Sequence, residues 1–189
     1  MMKIIKKQPD IGVCFWVTGL PGSGKTTLSL LLQEKLLRSL NRKFVLLDGD
    51  QLREVFASTT LHQPEERKKL SYQYARLALL LTQQGVDVIV STVSMFEEVR
   101  KWNRKSISGY LEIFIDVPIQ ALISRDKHEL YSRAIRGELD NVMGVNAAYE
   151  APENPDIRIC PDVNDTPEKS LQQLIKSLSE VIEDMKYEN

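Results

Sequence analysis

Residues Gly19-Leu20-Pro21-Gly22-Ser23-Gly24-Lys25-Thr26 spell G-x-x-x-x-G-K-[ST], a pattern whose chemistry is the grip of a triphosphate. The glycines let the backbone curl until successive N–H groups point at phosphate oxygens. A following helix N-terminus adds partial positive charge. Lys25 can reach the terminal phosphates, the Thr26 hydroxyl can ligate Mg²⁺, and Thr27 continues the loop into that helix. A second group of reactive side chains is Leu47-Asp48-Gly49-Asp50-Gln51-Leu52-Arg53. A carboxylate there can accept a hydroxyl proton or help hold Mg²⁺, and an arginine can bind a phosphate bidentately. The plainer alternative is that Asp48 and Asp50 form a turn and cap the next helix.

Both groups need elements to aim them. Before the glycine loop runs Val13-Cys14-Phe15-Trp16-Val17-Thr18, a short apolar stretch that reads as a buried strand, and after it Thr27 to Leu37 reads as a helix. Strand, glycine loop, helix is the context the pattern requires. Further strand-like runs are Phe44-Val45-Leu46-Leu47, Val86 to Val90, Leu111 to Asp116 and Ile157-Arg158-Ile159. A long helical segment spans about Pro64 to Gln84, and another runs from Pro167 to about Lys186 after Thr166 as N-cap. This alternation predicts an α/β fold, a parallel sheet with helices on both faces. In such a sheet the carboxyl end of a strand beside the loop-bearing strand faces the same crevice, which puts Asp48, Asp50 and Arg53 near the transferred phosphate. The charged stretch from Lys127 to Pro155, with Gly137, Gly144, Pro152 and Pro155, reads as a mobile lid; a solvated surface insertion is the alternative.

The chain has 189 residues, and its 42% hydrophobic and 27% charged content fits one soluble globular domain spanning 1–189. A net charge of −1 gives no reason to expect nucleic acid or an anionic membrane as partner. Two cysteines, Cys14 and Cys160, make no disulfide framework; both read as small buried apolar residues, and a reducing cytoplasm is the expected compartment. The basic segment Met1–Pro9 is followed by no long apolar run, so neither a signal peptide nor a membrane span is expected.

The glycine loop by itself does not separate motors, switches and kinases. Motors carry an apolar strand ending in an acid, whereas the third strand here ends Val90-Ser91-Thr92; the guanine-reading Asn-Lys-x-Asp of switches is absent too. The Asp-Gly-Asp turn with its arginine favours a small-molecule kinase.

Together these segments resemble the adenylyl-sulfate kinase (APS kinase) family. The resemblance rests on the glycine loop through Thr27, on Leu47 to Arg53, and on Ile115-Asp116-Val117-Pro118. It continues through Arg125-Asp126, Leu130-Tyr131, Gly137-Glu138 and Tyr149-Glu150-Ala151-Pro152-Glu153-Asn154-Pro155, covering about residues 13 to 160. It implies a P-loop kinase fold with a five-stranded parallel sheet, a lid over the nucleotide, and a homodimer. It also implies transfer of the γ-phosphoryl group of ATP, with Mg²⁺, to the 3′-hydroxyl of adenosine 5′-phosphosulfate. By resemblance, Gly19 to Thr27 with Arg125 bind ATP, and Thr26 and Asp48 serve the metal. Asp50 is the acid beside the acceptor hydroxyl. Arg53 and Arg67 grip the acceptor's phosphosulfate, and Ser94 ends the third strand at the crevice. Arg125 and Arg133 belong to the lid region.

The acceptor side departs from the family pattern. Where Gly-Leu-Asn is usual, this chain has Val55-Phe56-Ala57, and Leu-Gly-Phe becomes Thr60-Leu61-His62. Lys-Gly-Leu-Tyr becomes His128-Glu129-Leu130-Tyr131, and Phe-Thr-Gly becomes Val142-Met143-Gly144. Both rings that stack on the acceptor base in the family are therefore replaced, at His62 and Val142, and a lysine is replaced at His128. Stacking on an aromatic ring is worth about 1–3 kcal/mol per base. The expectation is unchanged phosphoryl chemistry on adenosine 5′-phosphosulfate. A different nucleotide conjugate is the alternative, such as the cytidine diphosphoramidate that one relative phosphorylates in capsule decoration. A third reading is an ATP-binding regulator without transfer activity.

Overall fold

The computed structural model describes residues 11–56, 64–162 and 165–187. Five strands, β1 (Cys14–Thr18), β2 (Phe44–Asp48), β3 (Asp87–Ser91), β4 (Tyr110–Ile115) and β5 (Ile157–Ile159), form one sheet in the order β2-β3-β1-β4-β5. Every pairing is parallel. β1, β3 and β4 are buried along their whole length, which is why their sequences read as continuous apolar runs rather than alternating ones.

Side chains alternate across β1, so Phe15 and Val17 join one core and Cys14 and Trp16 the other. The first core is closed by α1 (Lys25–Leu40), through Leu28, Leu32 and Leu36, and by α7 (Pro167–Tyr187), through Leu174 and Leu178. The second is closed by α3 (Pro64–Gln83), through Leu70, Tyr74, Ala75 and Ala78, and by Val99 of α4 (Glu97–Ser106). Helices therefore cover both faces, as the alternation predicts. Strand ends differ from the sequence reading by one residue: β3 starts at Asp87 because the Val86 amide still bonds back to Leu81 O at the end of α3.

Three short helices were not legible in the apolar period: α2 (Gly49–Val55), α5 (Ile119–Arg125) and α6 (Leu130–Ile135). The ten-residue α4 escapes for another reason. Its buried residues are Val99, Arg100 and Asn103, two of them polar, so burial leaves no hydrophobic stripe. The reading of Cys160 as buried is corrected: Cys14 is buried, but Cys160 is exposed. β5 turns Ile157 and Ile159 inward and Arg158 outward, and the period of two carries position 160 outward as well. No helix among the described residues is long and apolar enough to cross a membrane.

Candidate active site

β1 runs straight into the glycine loop. Gly22 and Gly24 take φ of 75° and 92°, a left-handed backbone that only glycine adopts without strain, and α1 begins at Lys25. Gly22, Gly24, Thr26 and Thr27 lie on the open side of the loop, whereas Leu20 and Ser23 are buried beneath it and Pro21 is half-buried. Lys25 is only 8% exposed and donates from Nζ to Leu20 O at 2.9 Å, so its ammonium is held inside the loop. Burial pushes its pKa down to about 8; the nearby Arg53 pushes the same way and Asp48 opposes.

The Asp-Gly-Asp turn follows β2 directly. Asp48 is buried and uses both carboxylate oxygens: Oδ1 accepts from the Asp50 amide at 2.9 Å, and Oδ2 accepts from Thr26 Oγ1 at 2.7 Å. Asp48 therefore caps α2, the plainer of the two sequence alternatives, and the same carboxylate also reaches the Thr26 hydroxyl of the glycine loop. A Cβ on Gly49 would come within 3.0 Å of Thr92 Oγ1 and 3.2 Å of Ser91 O, so the glycine lets the turn lie against the end of β3. The register agrees, pairing Asp48 with Ser91. Tyr74 supports the turn from below, its hydroxyl donating to Gly49 O at 3.3 Å.

Asp50 and Arg53 form an ion pair across one turn of α2, with 79% and 39% of their side chains exposed. Arg67, on α3, has a pKa lowered by partial burial and by the charge of Arg53, so the two guanidiniums are neighbours. Ser94 is buried, and its hydroxyl has no hydrogen-bond partner among the described residues. The carboxyl ends of β1, β2 and β3 and the start of α3 thus bring Lys25, Thr26, Asp48, Asp50, Arg53, Arg67 and Ser94 to one rim of the sheet.

The Thr26 hydroxyl and the Asp48 carboxylate are hard oxygen donors in mutual contact. Among the described residues no group of three or more His, Cys, Asp or Glu could hold a metal by itself. One carboxylate and one hydroxyl, completed by phosphate and water, suit Mg²⁺, so the residues fit that ion.

The lid stretch is packed rather than loose. Tyr131, Ala134, Val142 and Met143 are buried in the first core, and the Tyr131 hydroxyl donates to Pro21 O in the glycine loop at 2.7 Å. Leu130 packs against the same core. Val142 is turned into that core with 7% exposure, not standing as an open wall for a base. His128 is exposed at φ 62°, between Asp126 (29°) and Glu129 (54°), also left-handed. Arg125 ends α5, with Nη2 3.5 Å from Asp162 O, and Arg133 pairs with Glu138 at 3.5 Å. His62 lies outside the described residues.

Sequence reasoning attached no role to Tyr131, Thr92, Tyr74 or Glu150, each of which reaches the site or its supports only through tertiary contact. The Tyr149 to Pro155 stretch offered a signal without a mechanism, and the structure supplies one. Glu150 bonds to both sides of the segment between β3 and α4: its amide donates to Met95 O at 3.1 Å, and its Oε2 accepts from the Glu97 amide at 2.5 Å.

This geometry has close relatives. The adenylylsulphate kinase family model matches residues 11–160. The cytidine diphosphoramidate kinase of Campylobacter jejuni is 38% identical over 175 residues, 93% of this chain and 99% of that protein. A probable adenylyl-sulfate kinase of Pyrococcus abyssi is 35% identical over 170 residues, covering 90% of this chain and 97% of that protein. The Mycobacterium tuberculosis APS kinase solved with AMPPNP and APS superposes with a TM-score of 0.81 at 32% identity, covering 90% of this chain and 99% of that one. A loop that grips phosphate, an acidic turn beside it and likeness along nearly the full length converge, and the chain belongs to the adenylylsulphate kinase family of phosphotransferases that act on a hydroxyl group.

Proposed function

We propose that the chain is a single P-loop kinase domain that transfers the γ-phosphoryl group of Mg-ATP to the ribose 3′-hydroxyl of adenosine 5′-phosphosulfate, giving ADP and the 3′-phosphorylated product. The observation that carries this reading is the double use of Asp48, which ties Thr26 of the phosphate loop to the backbone of Asp50. Donor and acceptor machinery are thereby held in one rigid unit. The loop amides and Lys25 hold the triphosphate. Thr26 and Asp48 would hold Mg²⁺, which would supply positive charge against the phosphates of ATP.

Asp50 accepts the acceptor's hydroxyl proton as the new O–P bond forms and the bridging oxygen leaves with ADP. Asp50 pairs with Arg53. An incoming phosphosulfate competes for that guanidinium, and Arg67 beside it supplies a second cation. Acceptor binding thus frees the carboxylate that the reaction needs. Arg125, at the end of α5, serves the nucleotide, as the family resemblance implies. The working form is a cytoplasmic homodimer, supported by the family resemblance and tested by sedimentation equilibrium.

A second reading, the same chemistry on cytidine diphosphoramidate, is favoured by two observations. The Campylobacter relative carries that name at 38% identity. Neither position 62 nor position 142 offers the stacking ring usual for the acceptor base, and the Val142 side chain is buried in the core. A coupled ADP-release assay with Mg-ATP and both acceptors decides. Turnover with micromolar adenosine 5′-phosphosulfate supports the first reading, turnover confined to the cytidine conjugate replaces it with the second, and turnover with neither removes both.

A further inference from the structure

The segment Thr92–Phe96 leaves the end of β3, passes Ser94 and enters α4. One side of it lies against the acidic turn: Thr92 is the residue that a Cβ on Gly49 would strike, and the Thr92 amide donates to Val17 O at the end of β1. Its other side is held by a chain of charges. Glu150 bonds Met95 O and the Glu97 amide from its own amide and carboxylate. Arg100, only 6% exposed, donates from Nη1 to Glu150 O at 2.7 Å and faces Glu112 with Nε at 3.1 Å from Oε1. Arg104 joins Glu112 at 3.1 Å to Asp156 at 2.9 Å, and the Glu112 amide donates to Asp156 Oδ2 at 2.7 Å.

We propose that Glu150, backed by Arg100 and Glu112, is a positioning residue that clamps the Thr92–Phe96 segment against the Asp48-Gly49-Asp50 turn and so sets the acceptor side of the site. The network links three separate pieces of chain: the return from the lid (Glu150 and Asp156), strand β4 (Glu112) and helix α4 (Glu97, Arg100 and Arg104). Among the described residues, none of the hydrogen bonds and ion pairs given above for its members reaches the glycine loop. Its loss therefore acts on acceptor geometry and leaves nucleotide binding alone. The direction of the carboxylate matters, because its Oε2 terminates the exposed first amide of α4. A glutamine keeps an acceptor oxygen at that place, and an alanine does not. The inference rests on the acceptor reading given above for its kinetic consequence, but not for its structural one.

The test compares the wild type with Glu150→Ala and Glu150→Gln, and with Arg38→Ala as a control that removes an exposed pair with Glu34 on α1, outside the network. Kinetics are measured with both acceptors, ATP binding by titration, and amide hydrogen exchange across residues 92–100. The expected result is a rise of about tenfold in acceptor KM for Glu150→Ala, the size of a lost helix cap. ATP affinity stays unchanged, Glu150→Gln recovers to within about threefold of the wild type, and exchange at Glu97 is faster only in the alanine variant. An unchanged acceptor KM in Glu150→Ala, or a glutamine variant as impaired as the alanine one, overturns the clamp. If the wild type uses neither acceptor, the functional reading fails by itself. Amide exchange then decides the clamp: faster exchange in Glu150→Ala supports it, and unchanged exchange overturns it.

Discussion

Two side chains at the rim carry opposite demands. Lys25 must be charged to meet a triphosphate, yet burial in the loop lowers its pKa to about 8. Below that value the ammonium is present; above it, the unliganded enzyme offers a neutral amine. ATP affinity is therefore expected to fall between pH 7 and pH 9.5, by up to about tenfold per pH unit once Lys25 has titrated. Binding near pH 8.5 is expected to take up a proton, which calorimetry in buffers of different ionisation enthalpy reads directly. Stability of the free protein runs the other way. From about 8 to the ordinary lysine value of 10.5, the unfolded chain holds this proton more tightly, so the Lys25 contribution to stability rises with pH over that window. Asp50 is mostly exposed and holds no part of the core. Asp50→Ala is expected to keep ATP affinity within a few-fold and to slow phosphoryl transfer by about 10²–10⁴. Unimpaired transfer in that variant would remove Asp50 from the mechanism, and the absence of transfer in the wild type with either acceptor would favour a regulator instead.

At the scale of elements, the lid packs on the same core as Leu20 of the glycine loop and hydrogen-bonds that loop through the Tyr131 hydroxyl on Pro21 O. Tyr131→Phe removes a bond worth about 0.5–1.5 kcal/mol. The ring stays packed, so the expected readout is a rise of a few-fold in ATP KM with little change in melting temperature. Equal loss of stability and affinity would mean that the hydroxyl serves the fold instead. Val142 tests the opposite behaviour. Installing a family-like ring with Val142→Phe overfills a buried position and is expected to cost about 1–3 kcal/mol in denaturant unfolding, with no gain in turnover of adenosine 5′-phosphosulfate. How far each element was legible follows from what it buries. The helices α1, α3 and α7 bury leucines or alanines at helical spacing, and their periodicity is plain. In α4 the inward face is shared with Arg100 and Asn103, and the partners of Arg100 lie on β4 and at Glu150, so no local pattern marks it. Cys160 was misread for a related reason, since a three-residue edge strand has too short a period to say which way its neighbour turns.

For the molecule as a whole, ligand binding and folding are one equilibrium, because the loop, the acidic turn and the lid come from distant parts of the chain. A non-hydrolysable ATP analogue with Mg²⁺ at about a hundred times its Kd adds about 2.7 kcal/mol to stability. For a domain of this size that is a rise of about 5–11 °C in melting temperature. Chelating the Mg²⁺ is expected to shrink the shift, since Thr26 and Asp48 then face the phosphates with no cation between them; an undiminished shift would argue against those two residues as metal partners.

Much of this was determined by sequence alone, because it depends on neighbours along the chain. Glycines at fixed offsets before a lysine make the phosphate loop, apolar runs make the buried strands, and Asp-Gly-Asp at a strand end makes the acidic turn. The tertiary structure alone decided what depends on residues far apart. It alone joins Thr26 to Asp48, rests Tyr131 on the loop, turns Val142 inward and draws Glu150 onto α4 across 53 residues. Those contacts form only when the sheet order β2-β3-β1-β4-β5 is assembled, and no spacing along the chain encodes which side chain then meets which.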